Sequence, residues 1–423
     1  MLQQFTVSNW ASFKGPMTLS LEASSDTEHE ETNVIDVCEK RLLKSAVIYG
    51  ANASGKSNLI SAMQFFRTFT LSSSREGQIE EEIATEPFLL STDYESKPSH
   101  FEATFIHNRT RFRYGFEVDR KRVHSEWLFS TSSSREAELF VREEDQITCN
   151  PERFKEGKSL GEKTRPNALF LSVVAQFNGE VATSVMKWFL DFRFISATRN
   201  PALRFTVERL SDPSFAARVL DMSKIADLGI EGLIPKISSA KEDEGPFMLT
   251  KSGRKAFLSR AKDVELKMQH KKFDSNNQST GLVEFDLEKD ESEGTKKYFS
   301  MTGPLIDALE AGRVLVVDEL DARLHPLLSR AIVLLFNNTK NASNAQLIFA
   351  THDTNLLTRQ LFRRDQVWFT EKDPFGATDL YSLSEFRVRK DASFGKDYIL
   401  GKFGAIPFIG DLNTISFDAK TVE

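Results

Sequence analysis

The chain has 423 residues, of which 40% are hydrophobic and 27% charged, an ordinary balance for a soluble globular protein with a sizeable core. Its formal net charge of −6 at pH 7 argues against a globally basic nucleic-acid coat, although it leaves a local basic groove open. At this length one large domain with an insertion, or two domains, is expected.

Two cysteines, Cys38 and Cys149, stand far apart without ligand spacing, so neither a disulfide framework nor a metal knuckle is supported. The N-terminal residues carry no signal-peptide pattern, and no apolar run nears the roughly 18 residues of a membrane span. A cytoplasmic location with no membrane partner is expected. Phenylalanine is abundant, 35 residues against 6 Tyr, and the sequence alone offers no account of that excess.

Apolar alternation over 2–8 and 17–22 reads as two antiparallel strands, joined by a turn that contains Lys14. Residues 24–41 are polar and acidic and read as a mobile connector. The run Ser45-Ala46-Val47-Ile48-Tyr49 is strand-like, and Gly50-Ala51-Asn52-Ala53-Ser54-Gly55-Lys56-Ser57 follows it. That stretch fits the phosphate-loop pattern G-x-x-x-x-G-K-[ST] at every fixed position. Its glycines let successive N–H groups point at an anion, and a helix expected from Lys56 to about Phe69 adds the positive end of its dipole. Lys56 would reach the β- and γ-phosphates of ATP, and the Ser57 hydroxyl would hold Mg²⁺.

Residues 72–99 are polar and broken. Alternating runs at 101–106, 111–118, 123–129 and 138–141 predict an antiparallel meander over about 100–150. Helical spacing returns at 165–195 and 214–222, and 235–280 is the most basic part of the chain (Lys236, Lys241, Lys251, Arg254, Lys255, Arg260, Lys262, Lys267, Lys271, Lys272). Such a run is usually a solvated face; the functional alternative is a nucleic-acid or partner surface. A strand at 282–287 and a helix ending at Gly312 precede Arg313-Val314-Leu315-Val316-Val317-Asp318-Glu319, a short buried strand that delivers two carboxylates to a sheet edge. Asp318 would bind Mg²⁺, and Glu319 would orient and deprotonate the attacking water. The run 346–351 is a further buried strand with His352 at its carboxyl end, where a histidine can meet the γ-phosphate or the water. His325, before Pro326, is read as a structural residue at the start of a helix.

Taken together, these motifs resemble the ABC-type ATPases of the SMC, RecF and OLD group, and within it the AAA15/AAA21-type ATP-binding proteins of bacterial anti-phage and abortive-infection operons. The resemblance covers about 1–70 and 280–355, with a family-like tail at 385–410. It implies Walker A at Gly50 to Ser57, with nucleotide contacts from Asn52, Ala53, Ser54, Gly55, Lys56 and Ser57, and Walker B at Asp318 with the catalytic Glu319. It further implies a D-loop with Asp321, the switch His352, a signature motif at Ser292-Glu293-Gly294-Thr295, and a phosphate contact from Lys14. This chain has Ser-Glu-Gly-Thr where transporters have Ser-Gly-Gly, and no Q-loop glutamine stands out; residues 87–91 fall at that place.

The fold the resemblance implies is α/β: an ABC-ATPase head, with a mixed sheet around a P-loop core and an antiparallel meander, carrying a helical insertion. The expected division is 1–150, a mainly helical 151–280, and 281–423. The implied activity is Mg²⁺-dependent ATP hydrolysis in a homodimer, or a higher assembly of dimers, closed around ATP. In an anti-phage system such a subunit would control a separate effector, since no nuclease signature follows residue 355. A RecF/SMC-like DNA-repair ATPase is the alternative, resting on the basic segment, and leaves DNA open as a partner. A transporter subunit fits less well, and a GTPase is disfavoured because no Asn-Lys-x-Asp follows a strand.

Overall fold

The structure is a computed structural model that describes residues 1–76, 81–132, 135–195, 201–237, 248–249, 255–256, 264–389 and 392–407. The chain divides into two compact units, one formed by Leu2–Phe189 with Ala350–Glu423, the other by Met1 with Leu190–Phe349. In both, sheets and helices share a core, so the fold is mixed α/β.

The first unit contains a seven-stranded antiparallel sheet in the order Gln146–Cys149, Ala137–Glu143, Val123–Thr131, Thr110–Val118, Ser99–His107, Leu2–Ser8, Met17–Ser20. The meander expected over 100–150 is thus joined by the N-terminal pair. Period-two burial explains the sheet: Phe101, Ala103 and Phe105 point inward from one strand, Phe112, Tyr114 and Phe116 from the next. The long helix Lys56–Glu76 lies on that inner face. Its Phe66 is fully buried, with ring centroids of Phe5, Phe101, Tyr114, Phe116 and Phe189 between 5.2 and 6.4 Å away. The phenylalanine excess has its use here, as an aromatic layer between helix and sheet.

The helix outruns the expected end at Phe69 by two turns. Thr70, Ser73 and Ser74 are weak helix formers, yet each hydroxyl is employed: Thr70 Oγ1 donates to Phe66 O at 2.7 Å, Ser73 Oγ accepts Leu169 N at 3.2 Å, and Ser74 Oγ lies 2.7 Å from Ser172 Oγ. At Ser73 and Ser74 tertiary bonds override propensity, while Thr70 bonds back within its own helix.

The connector over 24–41 carries regular structure instead of irregular chain. It forms a short helix Glu30–Asn33 and the paired strands Val34–Val37 and Lys40–Leu43. Arg363, fully buried, holds it: Nη1 donates to Asp26 O and Glu28 O at 2.7 Å each, and Nη2 to Ser24 O at 3.3 Å. Nearby, Ser45–Gly50 pairs in parallel with Val367–Lys372, which pairs antiparallel with Thr378–Ser382.

In the second unit Phe192–Ile195, Val314–Val317 and Gln346–Ala350 run parallel in that order. The helix Glu293–Ala311 starts at an N-cap, Ser292, whose hydroxyl accepts Thr295 N at 3.1 Å, and ends at Gly312 as expected. Residues 151–280 supply the first unit with the helix Phe170–Gln176 and most of Glu180–Asp191, and the second with the helices Pro201–Arg209 and Pro213–Ile225 and the strands Ile230–Ile237 and Val264–Phe273, joined by Ser279–Asp286 in a three-stranded antiparallel sheet. Val207, Phe215, Leu266, Met268, Phe299 and Ile306 form the core of this unit's helix-and-sheet layer.

Candidate functional site

The phosphate loop springs from the wholly buried strand Ser45–Gly50 and ends where the helix Lys56–Glu76 begins, the geometry that turns backbone N–H groups toward an anion. Asn52, Ala53 and Ser57 are exposed, while Ser54, Gly55 and Lys56 are buried. Lys56 Nζ donates to Gly50 O at 2.9 Å and Ala51 O at 3.0 Å, so the ammonium lies in the bowl of its own loop. Gly55 has φ +118°, and a Cβ there would stand 2.5 Å from Thr378 Oγ1 and 2.7 Å from its Cγ2. Only glycine fits that position.

Residues without any motif brace the loop. Ser54 Oγ lies 2.6 Å from Thr370 Oγ1, and Thr378 Oγ1 bridges Ser12 Oγ at 2.7 Å and Ser54 O at 2.8 Å. Ser12 Oγ also accepts Asn58 Nδ2 at 2.7 Å. No motif marks Ser12, Thr370 and Thr378, because their hydroxyls meet the loop from more than 300 residues away or from an ordinary-looking turn. A weak signal existed in Ser12, which falls within the turn that carries Lys14.

That turn packs on the loop's helix, with the Trp10 ring 4.7 Å from Phe65 and Nε1 donating to Ser61 Oγ at 3.0 Å. Lys14 is half-buried, its Nζ 5.3 Å from the Tyr94 ring, which Lys97 Nζ also approaches at 4.2 Å. Asn9 fixes the segment that includes 87–91: its Oδ1 accepts Phe88 N at 3.0 Å, and its Nδ2 donates to Tyr94 O at 2.9 Å and Lys97 O at 2.7 Å. His352 is exposed and lines a cavity of about 440 Å³ together with Gly50, Ala51, Asn52, Thr354, Tyr398, Ile399, Ile406 and Pro407. The structure therefore brings His352 to the first turn of the phosphate loop.

The second unit holds the remaining candidates. Asp318 follows the buried strand Val314–Val317, and its backbone N–H donates to Ile195 O at 3.1 Å. Its Oδ1 is buried and has no hydrogen-bond partner among the described residues. An orphaned carboxylate oxygen of that kind fits a hard, oxygen-seeking cation such as Mg²⁺. Glu319 is exposed, with φ +52°, in the left-handed region of the backbone directly after Asp318. Arg323, also at positive φ, pairs with Glu293 at 2.5 Å, and a Cβ on Gly294 would stand 3.0 Å from Arg323 O. Ser292, Gly294 and Thr295 thus lie in a helix start packed on the turn that contains Asp321. Lys297 is one helical turn beyond Glu293 and faces the same way. Burial lowers the pKa of its ammonium, against the pull of Glu319 and Asp318, which raises it. His325 N-caps Pro326–Phe336 by accepting Leu327 N at 3.3 Å, the structural role expected of it.

Of the basic segment, Lys241, Lys251, Arg254, Arg260 and Lys262 lie outside the described residues, as does Phe408 of the tail. Lys267 pairs with Glu284 at 2.9 Å and Lys271 with Glu231 at 2.7 Å, so part of this charge is compensated locally. Among the described residues no helix is long and apolar enough to cross a membrane.

A complete phosphate loop between a buried strand and a long helix, in a mixed α/β fold, defines a P-loop nucleotide-binding domain. The family model described as "AAA domain, putative AbiEii toxin, Type IV TA system" matches residues 45–358, and the chain belongs to that family of ATPase domains. Among solved structures the SMC head domain from Thermotoga maritima is similar, with 12% identity, a TM-score of 0.41, and coverage of 92% of this chain and 99% of that one. No curated protein matches.

Proposed function

We propose that the protein is a Mg²⁺-dependent ATPase that closes as a homodimer, or as a larger assembly of dimers, on ATP bound at each phosphate loop. The observation that carries this reading is the phosphate loop itself, matched at every fixed position, with Lys56 in its bowl and a glycine that no other residue can replace. In each subunit the N–H groups of Asn52 to Ser57 and the Lys56 ammonium hold the phosphates, and Lys14 adds a further cation. Ser57 and Asp318 hold Mg²⁺, which supplies charge neutralisation on the phosphate oxygens. Glu319 takes the proton of the attacking water, and His352 hydrogen-bonds the γ-phosphate. The second copy completes the site with the Ser292 hydroxyl, the Gly294 and Thr295 N–H groups at a helix N-terminus, and Asp321.

We further propose that this cycle serves a bacterial anti-phage system, in which the ATPase is the sensor or scaffold for a separately encoded effector. The family's description as a putative AbiEii toxin supports that setting. The alternative is a DNA-repair ATPase, and the local pairing of Lys267 and Lys271 gives it less support than the sequence offered.

Phosphate release from ATP and Mg²⁺ by the purified protein tests the reading. Wild type is expected to turn over and Lys56→Ala to lose at least about a hundredfold in rate, as loss of a phosphate-binding cation in a transition-state site costs roughly 3 kcal/mol or more. Duplex DNA is expected to leave the rate unchanged. Stimulation by DNA that falls steeply with salt would favour the repair reading instead, and no hydrolysis by wild type would contradict both.

A further inference from the structure

Two lysines meet on one aromatic ring beside the phosphate loop. Lys14 Nζ stands 5.3 Å from the centroid of Tyr94 and Lys97 Nζ 4.2 Å from it, both inside the roughly 6 Å reach of a cation–π contact. Lys14 is half-buried and Lys97 exposed. Among the described residues neither ammonium has a hydrogen bond or an ion pair, so the ring carries two like charges that are both available to an anion.

The chain fixes this arrangement from both sides. Asn9 is buried, and it clamps the segment that carries Tyr94 and Lys97: Nδ2 donates to Tyr94 O at 2.9 Å and Lys97 O at 2.7 Å, and Ser99 Oγ donates back to Asn9 O at 2.6 Å. Lys14 closes the same turn, its carbonyl accepting Asn9 N and Ser8 Oγ, each at 3.3 Å. Between them lies Ser12, whose hydroxyl accepts Asn58 Nδ2 at 2.7 Å on the first turn of the phosphate-loop helix. The turn is thus bonded at one end to the segment of Tyr94 and Lys97, and at the other to the residue that follows Ser57.

From this placement we propose that Lys97 is a further nucleotide-binding residue, that Tyr94 positions it together with Lys14, and that the two lysines take the α-phosphate, which ATP and ADP share. The proposal rests on the ATP-binding reading above. In that reading Lys56 and Ser57 serve the β- and γ-phosphates and Mg²⁺. Cations brought to the helix just beyond them address the phosphate next in line toward the ribose. The ring attracts both ammoniums with its face, and by restricting them beforehand it reduces the side-chain freedom lost when a phosphate binds.

Calorimetric binding of ATP and ADP to the full chain tests it. Lys97→Gln is expected to weaken both nucleotides by a similar factor, about threefold to tenfold, and to lessen the fall of affinity with added salt, because one charge contact fewer is screened. Tyr94→Leu is expected to weaken both by about twofold to fivefold, while Tyr94→Phe, which keeps the ring face, matches wild type. In a Tyr94→Leu background Lys97→Gln is expected to cost less than it does alone. Lys121→Gln is the control: Lys121 lines the same cavity of about 320 Å³ as Lys97 but makes no cation–π contact with Tyr94, and its loss is expected to leave both affinities unchanged. If Lys97→Gln leaves both nucleotides unchanged, weakens ATP alone, or is matched by Lys121→Gln, Lys97 does not hold the α-phosphate. If Tyr94→Phe is as damaging as Tyr94→Leu, the ring does not position it. Lys56→Ala separates these outcomes from the ATP reading: if wild type fails to bind ATP, or Lys56→Ala binds it equally well, the ATP reading itself falls, and otherwise only the roles of Lys97 and Tyr94 are at stake.

Discussion

Glu319→Gln is expected to slow ATP turnover by about a hundredfold to ten-thousandfold, the range that a positioned general base contributes, while ATP affinity stays within about threefold of wild type. The substitution is isosteric and keeps a hydrogen-bonding head, so the attacking water can still be held; what it loses is the ability to accept a proton. Glu319 already sits in the left-handed region at φ +52°, at the sharp turn after the strand Val314–Val317, and Gln meets that backbone no worse than Glu. A loss of rate therefore reads chemistry and not folding. The neighbouring ammonium of Lys297 favours an anion at this position. Single-turnover phosphate release checks the expectation; a rate within about fivefold of wild type would place the base elsewhere, because so small a loss lies below the general-base range.

Arg363→Ala is expected to cost the first unit about 3–5 kcal/mol, because it strands a buried carboxylate. Arg363 and Asp365 have side-chain exposures of 0% and 6%, and the guanidinium makes a two-pronged contact to that carboxylate at 2.9 and 2.7 Å while also holding the backbone at Ser24, Asp26 and Glu28. Asp365 would keep only its bonds from Ser24 N at 2.8 Å and Ser24 Oγ at 2.7 Å. The damage would spread toward the nucleotide site, since the next residue, Gln366, bonds Ser45 O at 3.1 Å and Ser45 Oγ at 2.8 Å at the start of the phosphate-loop strand. Urea unfolding followed by tryptophan fluorescence measures the loss. Arg363→Met combined with Asp365→Leu, which removes both charges, is expected to be markedly more stable than Arg363→Ala alone; equal instability would show that the ion pair is not the cause.

The phosphate loop and its flanking strand and helix were legible because their chemistry fixes residue types at fixed spacing. The meander over 100–150 was legible because period-two alternation is local. Its partners were not. Arg363 reads as one member of an Arg-Arg pair, and nothing near it announces that it will bind a connector more than 330 residues earlier; the connector's acidic composition reads as solvated because its order comes from that distant cation. The strand Val264–Phe273 was hidden for another reason. Its Lys267, Lys271 and Lys272 read as a charge run, whereas alternate positions Leu266 and Met268 are buried in the core of the second unit. Thr370 and Thr378 reach the phosphate loop through hydroxyls on the far side of a sheet pairing, which no spacing rule within the loop can reveal.

The central claim is that ATP joins two copies of this chain, and native mass with and without nucleotide tests it most directly. With ATP and Mg²⁺, Glu319→Gln is expected to run at the mass of a closed dimer or a multiple of it by size-exclusion chromatography with light scattering, while Lys56→Ala keeps its nucleotide-free mass. The same mass for both variants, with and without ATP, would contradict the account.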